Sequence, residues 1–91
     1  MLIGDGMFLV EHYWPGVTPA TFREAVERVR AEATRLQASG ESIRFMHSTL
    51  VPEDENAFCV FAAASESLVR EAYARAGVGF EQIVDAVELD H

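Results

Sequence analysis

Three histidines, one cysteine and fifteen acidic residues are the side chains of this 91-residue chain that could hold a metal ion or move a proton. His47 stands mid-strand among Phe45, Met46 and Thr49, where an imidazole either makes one hydrogen bond in a packed interior or serves as a metal ligand or proton carrier. His12 follows Glu11 near the end of an apolar run. Neighbouring strand residues face opposite sides, so the two do not chelate one ion from a regular strand, although either can point inward. His91 is the last residue. Cys59 is the only cysteine, which excludes an intrachain disulfide and the C-x-x-C zinc patterns; a lone thiol among apolar neighbours is more often a packed small hydrophobe than a nucleophile. A hairpin through "PEDEN" (52–56) sets Cys59 opposite His47 or one residue from it, and a slip of one residue sends the two to opposite faces. Glu53, Asp54 and Glu55 in that turn form a weak divalent-ion candidate without the spacing of a calcium loop.

No P-loop, dinucleotide fingerprint, nucleophile elbow or H-E-x-x-H helix occurs, so no covalent chemistry is assigned. The net charge of −8 repels phosphate backbones and anionic lipid, which argues against nucleic acid and membrane surface as partners and is compatible with cations. All seven basic residues are arginine. The opening "MLIGDGMFLV" has neither the basic region nor the apolar length of a signal peptide, and a cytoplasmic location is expected.

The elements that must position these residues are legible in order. Residues 1–6, with two glycines and an aspartate, read as a flexible lead-in to one domain over 7–90. "MFLVEHYW" (7–14) predicts a strand closed by Pro15 and Gly16. Thr18 fits an N-cap and Pro19 a first helical position, and Phe22, Ala25, Val26, Val29, Ala33 and Leu36 recur at helical steps before Gly40. Strands are predicted over 42–51 and 57–63, then a helix capped by Ser65 and stopped by Gly77, with Leu68, Val69, Ala72, Tyr73 and Ala76 on its apolar side. A last strand is predicted over 82–89.

This order is βαββαβ, the ferredoxin-like α+β arrangement: a four-stranded antiparallel sheet, spatial order 4-1-3-2, with two helices on one face. A sheet covered on one side only should alternate apolar and polar residues. These strands do not: Met7 and Leu9 oppose Phe8 and Val10, and Phe58 and Val60 oppose Cys59 and Phe61. The uncovered face calls for a second copy packed sheet against sheet, as in dimeric α+β barrels.

The segments "FLVEHYWPGVT", "HSTLVPEDENAFCVF", "ASESLVREAYARAGV" and "FEQIVDAVEL" resemble, in the same order, a small and largely uncharacterised bacterial family with a nickel-binding, dimeric ferredoxin-like member. The matching motifs are Val10, Glu11, Pro15 and Gly16, and then His47 and Ser48 with Cys59, Val60 and Phe61. Many members of the family it resembles carry R-E-H on the second helix, where this chain has Arg70, Glu71 and Ala72. The resemblance implies nickel or another divalent transition metal, which suits histidine nitrogen completed by carboxylate or water. The expected protein is therefore a cytoplasmic homodimer binding such an ion through His47, with Glu11 or His12 as helper. One alternative is a small-molecule-binding enzyme of the monooxygenase-like barrel type, its pocket lined by Trp14, Phe45, Phe61 and Tyr73. The other is a non-catalytic interaction module.

Overall fold

The computed structural model describes residues 5–90. Strand β1 (Gly6–Tyr13) leads through a Pro15–Gly16 turn to helix α1 (Pro19–Ala38). Strand β2 (Ile43–Val51), one turn of 3-10 helix (Pro52–Asp54) and strand β3 (Asn56–Ala63) form the hairpin. Helix α2 (Glu66–Ala76) and strand β4 (Gln82–Ala86) complete the chain. The sheet order β2-β3-β1-β4, antiparallel throughout, is the ferredoxin-like topology expected. Residues 1–4 of the expected lead-in lie outside the described residues. Asp5 accepts a hydrogen bond from the Ser42 hydroxyl at 2.7 Å, and Gly6 already belongs to β1.

Local chemistry fixes the ends of both helices. Thr18 and Thr21 form a reciprocal capping box, each hydroxyl accepting the other's backbone N–H at 3.0–3.1 Å, and Pro19 follows at the first helical position. The second helix stops at Gly77, whose φ of 69° is left-handed. Ser65 stands at its N-cap, yet its hydroxyl meets Ser67 rather than the backbone.

One core lies between helices and sheet. Phe22, Val29, Ala33 and Leu36 of α1 and Val69, Ala72 and Tyr73 of α2 pack against Phe8, Val10, Ile43, Cys59, Phe61 and Ile83 of the strands. The opposite face carries Met7 and Leu9 of β1 beside Val60, Ala62 and Phe58 of β3 and Val84 and Ala86 of β4. Both sheet faces are thus apolar at their centres, as the broken alternation predicted.

Two details differ from the sequence reading. The last strand ends at Ala86, not at residue 89: its pairing with β1 stops at Met7–Ala86, and Val87 and Leu89 beyond it are 82% and 68% exposed. The β2–β3 register also slips between Phe45 and His47, leaving Met46 as the extra residue of a β-bulge.

Candidate functional site

The bulge decides what the hairpin presents. Beyond it, Ser48 pairs with Cys59 and His47 with Val60, so His47 is exposed on the open face while Cys59, 1% exposed, lies in the core. The Cys–His pair left open by the turn length does not form. Burial pushes the Cys59 thiol up to about 11, and the neighbouring Tyr73 hydroxyl works the other way, so the thiolate that nucleophilic or ligand chemistry needs is suppressed.

Glu11 and His12 separate as adjacent strand residues must. Glu11, half-buried, joins the open face, where one carboxylate oxygen accepts from the Gln82 amide at 2.5 Å. His12 turns inward and is the one buried polar side chain among the described residues. Its Nδ1 lies 2.9 Å from the Ala57 carbonyl oxygen and its Nε2 2.9 Å from the Tyr73 hydroxyl. A carbonyl only accepts, so Nδ1 carries the proton and Nε2 accepts from tyrosine. Burial holds the imidazole below its ordinary 6.5, against the opposing effect of the Ala57 hydrogen bond. Burial, and then the nearby Cys59, raise the Tyr73 hydroxyl well above its usual range. His12 and Tyr73 are 61 residues apart, and the sequence placed Tyr73 only on an apolar helix side. The sole local signal for their meeting was a polar ring on the inward side of a strand.

On the open face, His47, Val60 and Leu9 lie in one cross-strand row, and Thr49, Phe58 and Glu11 in the next. From strand spacing and rise, the Cα atoms of His47 and Glu11 are roughly 12 Å apart. Their side chains stand alongside one another with the apolar stripe between. Among the described residues, no three His, Cys, Asp or Glu side chains of one protomer come together as an ion site. In the acidic turn Glu55 adopts a left-handed φ of 54° and clasps the first loop, its carboxylate accepting from the Gly16 N–H at 2.7 Å and its carbonyl from the Trp14 N–H at 2.8 Å.

The four aromatics expected to line one pocket are divided. Phe61 and Tyr73 are core, Phe45 borders a groove between α1 and β2, and Trp14 lines a separate cleft of about 290 Å³ beside the Gly77–Glu81 loop.

Residues 8–85 match the sequence model of a family described as nickel responsive protein, SCO4226-like. The chain belongs to that family. It is similar to the crystal structure of SCO4226 from Streptomyces coelicolor A3(2), with a TM-score of 0.76 and 21% identity over 93% of this chain and 99% of that one. At that identity the likeness carries the ferredoxin-like fold. A comparison with curated proteins gives no match. For the SCO4226-like chain described above, no helix among the described residues is long and apolar enough to cross a membrane.

Proposed function

We propose that the protein binds a divalent transition-metal ion, nickel first, as a homodimer packed through the open face of the sheet. The observation that carries this reading is the composition of that face: an exposed imidazole, His47, and a half-buried carboxylate, Glu11, flank an apolar stripe that no helix covers. The donor types fit nickel, which takes imidazole nitrogen readily and completes its shell with carboxylate or water. One protomer supplies these two donors apart from each other, and a two-fold axis through an isologous sheet contact doubles them across the interface. The family's description as nickel responsive and the net charge of −8 support the same choice of ligand.

In this reading His47 is the principal ligand and Glu11 the helper. His12 remains the alternative helper, but it would first give up its bonds to Ala57 and Tyr73, so its better role is structural. The ion adds charge and cross-linking between copies, and no bond-making step is assigned to it. Calorimetric titration with nickel tests the proposal. His47→Ala should weaken binding by about 1–3 kcal/mol, the size of one charge-assisted contact, and Glu11→Gln should weaken it less. Unchanged nickel affinity in both variants refutes the assignment.

A further inference from the structure

The cleft beside the Gly77–Glu81 loop lies on the helix side of the sheet, opposite the face that carries the Glu11 and His47 side chains. Its lining includes His12, Tyr13, Trp14, Val78 and Phe80, with Arg28 and Glu81 as its charged residues. The aromatic walls are held in place from behind. The Trp14 backbone is tied through its N–H to the Glu55 carbonyl, and the Phe80 ring packs edge-on against Tyr73 at 5.3 Å with the Arg70 guanidinium 5.5 Å from its centroid. A separate void of about 10 Å³ lies against Trp14 and Val78 on the core side, among His12, Tyr73 and Cys59.

The charges select the ligand. Arg28 faces an exposed Glu24 partner at 3.2 Å, an arrangement of little strength that a ligand carboxylate can replace. Glu81 has no ion-pair partner among the described residues, and its backbone N–H is already used by the Glu11 carbonyl. A simple anion entering the cleft meets Glu81, and a simple cation meets Arg28. A molecule bearing both charges on a flat apolar body satisfies both walls. At about 290 Å³ the cleft sits at the lower edge of the ~300–1,000 Å³ typical of small-molecule sites, which limits the body to about one ring.

We propose that this cleft binds a small aromatic zwitterion of amino-acid type, its ring against Trp14 and Phe80, its carboxylate at Arg28 and its ammonium at Glu81. Trp14 is the only tryptophan, so its emission reports the site directly. The experiment titrates the protein with L-phenylalanine, 3-phenylpropanoate and 2-phenylethylamine to about 10 mM, following Trp14 emission and, in parallel, the amide shifts of Gly79 and Phe80. L-Phenylalanine should saturate both signals with Kd about 1 mM, and each singly charged analogue should bind at least about tenfold more weakly. Arg28→Gln and Glu81→Gln should each weaken L-phenylalanine about tenfold or more, with melting temperature and nickel affinity unchanged. Absence of saturation in both signals, equal binding of the three compounds, or indifference to both substitutions overturns the proposal.

Discussion

Replacing Tyr73 by phenylalanine removes one buried hydroxyl, the partner of His12 Nε2 and a neighbour of Cys59. The ring stays, with its edge contacts to Phe61 at 5.9 Å and Phe80 at 5.3 Å, and only the hydroxyl that donates to His12 Nε2 is lost. That nitrogen is then an unpaired acceptor on a side chain 6% exposed. Leaving a buried polar atom unsatisfied costs about 1–3 kcal/mol, more than the net worth of an ordinary hydrogen bond, because the desolvation penalty is no longer offset. For a domain this small each kcal/mol moves Tm by about 4–8 °C, so Tyr73→Phe should melt roughly 5–20 °C lower at fixed protein concentration. Acidification adds a signature. Burial lowers the folded-state pKa of His12 below 6.5, so the unfolded chain takes up the proton first. The resulting stability is complete above 6.5 and is lost as pH falls from there through the lower folded value. The part of the acid-side loss that His12 contributes should persist in Tyr73→Phe and be absent from His12→Gln, which has no group to titrate at that position. Denaturant melts of the three proteins across pH 4–8 make the comparison. A Tyr73→Phe variant within about 0.5 kcal/mol of the parent would refute the argument and show that Nε2 finds another donor.

Sedimentation of the parent should give about 20 kDa, twice the 10.1 kDa chain, and Leu9→Arg, which puts a charge into the open apolar face, should give monomer. The native Cys59 thiol should resist aromatic disulfide reagents at neutral pH until the protein unfolds. Cys59→Ala should cost about 1–2 kcal/mol of stability with nickel affinity within a few-fold of the parent, and loss of binding in a folded variant would instead make the sulfur a ligand.

The fold was open to sequence reasoning because its signals are local. The threonine cap before Pro19, the helical spacing from Phe22 to Leu36 and the stop at Gly77 each act within a few residues. What escaped depends on pairing. The end of β4 is set by where its pairing with β1 stops, and no property of Val87 or Leu89 records that. The face taken by His47 depends on the Met46 bulge, which the turn length left undetermined by one residue. For the candidate site, Glu11 and His47 are legible as donor residues but the face they share is not, since their relation passes through two separate strand registers. His12 was grouped with them by sequence proximity, whereas its partners lie 45 and 61 residues away.

The bulge at Met46 also governs how the hairpin tolerates changes in length. Ile43 and Phe45 before it, and Ser48 and Leu50 after it, all pair with β3 residues that face the helices. A chain lacking one residue at position 46 would keep every one of those assignments, because the bulged residue is the single member of β2 that pairs with nothing. The same deletion two residues later would also be absorbed by the bulge, but it would carry His47 from the open face into the row of Cys59. A one-residue deletion in such a strand is therefore silent at the bulge, and elsewhere it changes the face only of the residues lying between the bulge and the lost position. When β2 is aligned between relatives, a gap belongs at the bulge and not at the acidic turn, where surface-loop habit would put it.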